Sequence, residues 1–224
     1  LEAFTAAARR AVAAGFAGVE LHGAHGYLFG QFLSRSMNLR EDAWGGSLAG
    51  RARLLREAMR RARAATRPGF VVGVRISPED FGYARGLDLD ESVQVAAWLA
   101  EDGADFIHLS LWDARRMSAK RPEEHPIALF RAALPAAVRI IAAGSIWTPA
   151  DAEAALARGA DLVALGRAGI LNPEWPREAP RPGFAPLRGP LTEDELRARA
   201  IGERFIAYLR RFQGMVADAG GAGG

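Results

Sequence analysis

The 224-residue chain contains no cysteine. Disulfides, cysteine-ligated zinc and iron–sulfur clusters are therefore excluded for these residues. It has no apolar run long enough to span a membrane and no signal-peptide pattern, so a cytoplasmic setting and no membrane partner are expected. No Gly-x-Gly-x-x-Gly follows an apolar strand-like run, which argues against a dinucleotide-binding Rossmann domain. Charge of one sign is scarce too: Lys+Arg minus Asp+Glu is 29 − 26, or +3. The arginines are spread along helical segments such as Arg51 to Arg67, not gathered in a stripe with aromatics. Nucleic acid is thus not an expected partner. Histidine and tyrosine are rare, with four and three copies.

What is present is an alternation of helix and strand. Residues 2–14 read as an Ala-rich helix stopped by Gly15, and 17–22 as a strand. Ser47 caps a long helix running to about Thr66. Phe70 to Ser77 is a β-branched run typical of a buried strand. Asp90 opens a helix that ends at Gly103, and Phe106 to Leu111 is a third strand. A short helix near 127–134 precedes a strand over Val138 to Ala143. Thr148-Pro149 starts a helix that ends at Gly159, and Leu162 to Leu165 is the fifth strand. Asn172 to Pro190 is Pro-rich and irregular. Thr192 and Glu195 form a capping box for a last helix to about Phe212.

Three joints repeat one pattern of helix end, Gly, small residue and strand: Ala14 to Val19, Asp102 to Ile107 and Arg158 to Val163. Apolar strands alternating with helices imply a parallel sheet covered by helices. A doubly wound sheet and a (β/α)8 barrel both satisfy this pattern. The length suits one domain, expected over 1–214, followed by a disordered tail over 215–224. The chain opens at Leu1 inside a helix, so a fragment of something longer is expected.

The strand ends carry the chemistry. In Val19-Glu20-Leu21-His22-Gly23-Ala24-His25-Gly26-Tyr27, two imidazoles and a phenol fall within six residues, beside glycines. One strand-end histidine is usually structural; two with a tyrosine at this spacing favour a catalytic site. In Val72-Gly73-Val74-Arg75-Ile76-Ser77, period-two alternation sets Gly73 and Arg75 on one face. An inward Arg75 needs an anion or acceptor, which Glu20 or a ligand would supply. The glycines of Ala143-Gly144-Ser145 and Leu165-Gly166-Arg167 admit a phosphate to backbone N–H groups, and Arg167 adds charged donors. Trp44 and Trp112 are expected to pack. His108 is assigned to the core, and His125-Pro126 to a loop before a helix.

These residues resemble those of the old yellow enzyme family of FMN-dependent NADH:flavin oxidoreductases. The matching blocks are Gly18 to Leu28, Gln31 to Ser34, Asn38 to Ser47, Val74 to Ser77, Ala143 to Ile146 and Ala160 to Arg167. The resemblance implies a partial (β/α)8 TIM barrel holding strands four to eight, with FMN at the C-terminal mouth and NADH or NADPH as hydride donor. It implies reduction of activated C=C bonds in α,β-unsaturated carbonyl compounds. His22 and His25 then bind the substrate carbonyl, Tyr27 gives a proton, and Arg75 faces the flavin. Gly144, Ser145, Gly166 and Arg167 form the phosphate cradle. The family usually has Gly at Ser145 and Pro at Arg35. Another FMN barrel dehydrogenase, or a fragment that holds no flavin, is the alternative. The expected partners are a small-molecule substrate and a second copy of the chain in a homo-oligomer.

Overall fold

The computed structural model describes residues 1–218. Its elements follow local rules that can be traced residue by residue. Helix α1 (Glu2–Ala13) ends before Gly15, whose φ of 81° suits glycine, and leads into β1 (Gly18–Gly23). A short α2 (Leu28–Leu33) follows. Its six residues are too few for a 3.6-residue repeat to show in the sequence. Ser47 caps α3 (Leu48–Ala64), its Oγ accepting the Gly50 N–H at 3.2 Å. After β2 (Val71–Ile76) comes α4 (Leu89–Glu101). Its cap is Asp88, which accepts the N–H groups of Asp90 and Glu91, so the helix starts one residue before the expected Asp90.

Strand β3 (Phe106–Ser110) precedes α5 (Pro126–Ala133), where His125 is the cap and its Nδ1 accepts the Ile127 N–H at 3.2 Å. Strand β4 (Arg139–Ala143), α6 (Pro149–Ala157) and β5 (Leu162–Ala164) complete the alternation. Helices α7 (Arg167–Leu171) and α8 (Trp175–Glu178) are short; the second interrupts the stretch expected to be irregular. The capping box of Thr192 and Glu195 opens α9 (Glu193–Ala198). The single last helix expected here is instead broken. Ala200 takes a φ of 60°, Ile201 N–H folds back onto Leu196 O, and α10 (Glu203–Leu209) restarts after Gly202.

All five strands are parallel and lie in the order β1-β2-β3-β4-β5. A doubly wound sheet reverses its strand order at a switch point, and this one does not. One face carries Leu21, Val72, Val74, Ile76, Ile107, Leu109, Ile140 and Ala142, all buried. The other carries Glu20, His22, Arg75, His108 and Ser110, the period-two partners of those residues. Register sets His22 opposite Arg75, and Arg75 opposite His108, so one rung crosses three strands.

Over the stretch expected to form a single domain, 1–214, the chain divides into two compact units. One comprises Leu1–Gly144 with Glu153–Ala164; the other comprises Ser145–Ala152 with the described residues from Leu165. The second has its own core of Leu171, Leu191, Leu196, Ile206, Leu209 and Met215. The tail expected from 215 is corrected by the same core. Met215 is buried, Val216 bridges to Leu191, and Ala217 N–H donates to Leu191 O. Apolar side chains at 215 and 216 gain more from that burial than the chain loses in freedom. Gly220 to Gly224 lies outside the described residues.

Candidate active site

The chain turns sharply at the end of β1. His25 and Gly26 both take left-handed backbone, with φ of 62° and 72°. A Cβ at Gly26 would stand 2.3 Å from the Tyr83 carbonyl oxygen, so only glycine fits. This turn folds His25 and Tyr27 back over His22. The ring centroids of His22 lie 5.1 Å from His25 and 5.2 Å from Tyr27, and those of His25 and Tyr27 are 6.5 Å apart. The backbone N–H of His25 donates to Ser77 Oγ at 3.3 Å. Tyr27 is 61% exposed, so its phenol is open to a ligand.

Arg75 stands beside His22 in the same rung. Its Nη2 donates to Ser110 Oγ at 3.0 Å, and Ser110 Oγ lies 2.6 Å from His25 Nε2. Its Nε is buried with no acceptor among the described residues. Glu20, one of the two partners open to Arg75 in the sequence, is bonded elsewhere: its Oε2 is 2.8 Å from His108 Nδ1. His108 is buried as expected, yet within a polar pair, and its Nε2 also lacks a partner. Burial lowers the pKa of both His22 and His25, and the neighbouring Arg75 charge lowers them further. The two imidazoles are therefore neutral at pH 7. Burial also lowers the Arg75 pKa, against the pull of Glu20.

Beside this cluster lies a cavity of about 370 Å³, lined among others by Pro78, Phe81, Ser110, Trp112, Arg116 and Met117. Phe81 stands 6.2 Å from His25 and 5.7 Å from Trp112, ring to ring. Trp112, expected to pack, is 64% exposed on this wall, in the loop that follows β3. Ser77, Ser110, Phe81 and the Glu20–His108 pair were not singled out as site residues in the sequence. The one available signal was that His108 and Ser110 share a strand face with the inward positions.

Gly144 follows β4 with a φ of 150°, and a Cβ there would meet Leu111 O at 2.6 Å. It belongs to the first unit, whereas Ser145, Gly166 and Arg167 belong to the second. Ser145 takes a left-handed φ of 49°. Gly166 caps α7 with open space around its Cα, and the exposed Arg167 guanidinium sits 5.9 Å from the Trp147 ring centroid.

The family described as NADH:flavin oxidoreductase / NADH oxidase matches residues 1–181. The chain belongs to this family. It is 37% identical over 186 residues to an NADH oxidase of Thermoanaerobacter brockii, covering 80% of this chain and 28% of that protein. It is 36% identical over 199 residues to an NADPH dehydrogenase of Bacillus licheniformis, covering 87% and 57%. Among solved structures, an old yellow enzyme homologue from Zymomonas mobilis matches with a TM-score of 0.66 at 29% identity, covering 78% of this chain and 49% of that one. Morphinone reductase in complex with tetrahydroNAD matches with a TM-score of 0.69 at 30% identity, covering 87% and 51%. The chain thus spans about half the length of these two structures, and the five-stranded sheet is a partial (β/α)8 barrel. FMN with NADH or NADPH is the cofactor set of this NADH:flavin oxidoreductase family.

Proposed function

We propose that this mouth reduces the activated C=C bond of α,β-unsaturated carbonyl compounds, with FMN as resident cofactor and NADH or NADPH as the source of electrons. The carrying observation is the arrangement of His22, His25 and Tyr27 with ring centroids 5.1–6.5 Å apart, beside Arg75. The residues fit the cofactor. A buried guanidinium N–H without an acceptor calls for one, and the oxygen- and nitrogen-bearing edge of a flavin pyrimidine supplies it. Arg75 is the residue for that edge. Ser145, Gly166 and Arg167, within the second unit, are the candidates for the phosphate, through backbone N–H groups and one charged fork.

When bound, FMN supplies the hydride. The protein's residues supply the remainder. That hydride would reach the alkene carbon remote from the carbonyl, leaving the growing charge on the carbonyl oxygen for the protein to bind. Neutral His22 and His25 donate hydrogen bonds to that oxygen as its charge grows, in the manner of an oxyanion hole. Tyr27 carries a phenol O–H donor and passes its proton to the carbon next to the carbonyl. Phe81 and Trp112 offer an apolar wall for the substrate body.

The test is anaerobic incubation of the FMN-supplemented chain with NADPH or NADH and 2-cyclohexenone, followed by product analysis. Cyclohexanone forming in step with nicotinamide oxidation, and lost in a His22→Ala, His25→Ala double variant, is the expected result. Nicotinamide oxidation without cyclohexanone would refute the proposal.

A further inference from the structure

We infer that Ser110 fixes the tautomer of His25, setting the ring proton on Nδ1, and is thereby a positioning residue of this site. Ser110 is 2% exposed, and its Oγ has two polar neighbours among the described residues, Arg75 Nη2 at 3.0 Å and His25 Nε2 at 2.6 Å. A guanidinium nitrogen can only donate, so Arg75 occupies one lone pair of the hydroxyl. The hydroxyl has a single proton. Were His25 Nε2 also a donor, Ser110 would accept twice and its own hydrogen would be buried with no acceptor, an arrangement that folded proteins avoid. Donation from Ser110 to His25 Nε2 gives the hydroxyl hydrogen an acceptor while the oxygen accepts from Arg75 Nη2. A neutral imidazole carries one proton, so Nδ1 is left as the donor.

Three further observations agree. Burial and the Arg75 charge keep His25 in the neutral form, in which a tautomer is defined. Its backbone is pinned in a left-handed conformation, with the N–H on Ser77. The serine is held on β3 beside Arg75's strand, so its hydroxyl is placed by the sheet rather than by a loop. The inference deepens the proposed function, on which its catalytic value rests: an Nδ1–H fixed in advance is a donor ready for the substrate oxygen. The tautomer itself follows from the hydrogen bonds alone.

The experiment is nitrogen NMR of the full chain labelled at histidine, recorded above the ordinary histidine pKa, with the His25 ring assigned by its loss in His25→Gln. A pyrrole-like Nδ1 signal and a pyridine-like Nε2 signal are expected for the parent chain. Ser110→Thr, which keeps the hydroxyl, retains that pattern; Ser110→Ala moves both signals toward the opposite tautomer. A pyrrole-like Nε2 in the parent, or an unchanged pattern in Ser110→Ala, would overturn the inference. Should Ser110→Ala fail to fold, the parent and Ser110→Thr spectra decide alone. The measurement needs neither flavin nor alkene, so it stands or falls separately from the proposed reaction.

Discussion

Glu91 grips the buried Arg51 with both carboxylate oxygens, at 2.7 and 2.8 Å from Nη2. Arg51 is 4% exposed, and its remaining donors reach Leu33 O and Gly46 O. The same carboxylate takes the exposed Arg35 at 2.7 and 3.1 Å, which gives Arg35 a role where the family usually has Pro. The two arginines differ in consequence. Glu91→Ala leaves a buried guanidinium unpaired and is expected to cost about 3–5 kcal/mol. Arg35→Ala removes a solvated partner and is expected to cost far less. Urea midpoints of the two variants check this, and equal losses would contradict it.

Much of this architecture was legible because it is local. The capping residues Ser47, Thr148 and Thr192 stand where their side-chain chemistry requires, and the strands of alternating Gly73, Arg75 and Val72, Val74 show their period directly. The turn His22 to Tyr27 was legible as a cluster of rare residue types. What was hidden depends on contacts between distant segments. Ser110 matters only because β3 sets it against residues 35 and 85 positions away. Trp112 looked like core because its ring is apolar, whereas its loop leaves it on the cavity wall. The break at Ala200 and the burial of Met215 follow from a second core that has no periodic signature in so short a stretch.

Acidification should destabilise the chain. His22, His25 and His125 all have lowered pKa values, each chiefly through burial. Below about pH 6.5 the unfolded chain takes up protons that the folded chain resists, so stability falls as pH falls. Above that point the full stability is present. The paired carboxylates of Asp88 and Asp161 are held low, so their loss follows only at or below about pH 4. Melting temperature is expected to be level from about pH 8 to 7 and to drop between about 6.5 and 5. His125→Asn should shallow that drop, because His125 Nδ1 must stay unprotonated to accept the Ile127 N–H. Stability rising on acidification through this window would contradict the assignment.

Arg167 is expected to read the phosphate and not the ring system of the cofactor. A charge-assisted contact of this kind is worth roughly 1.5–3 kcal/mol, or about 10- to 150-fold in affinity. Fluorescence titration should show Arg167→Ala weakening FMN by that factor while riboflavin, which has no phosphate, binds as before. Equal weakening of both would remove Arg167 from a phosphate cradle and make its place beside Trp147 purely structural.

The central claim is that Tyr27 delivers a proton to the alkene carbon while His22 and His25 bind the carbonyl oxygen. Stopped-flow measurement of the two halves of turnover in FMN-loaded protein tests it most directly. On this proposal Tyr27 takes no part in hydride delivery from NAD(P)H, so Tyr27→Phe should leave the reaction with NAD(P)H within about twofold of the parent. The same variant should slow the reaction with the enone by about 10²–10⁴-fold, the usual worth of a general acid. Equal losses in both halves, or an undiminished enone reaction, would contradict the account.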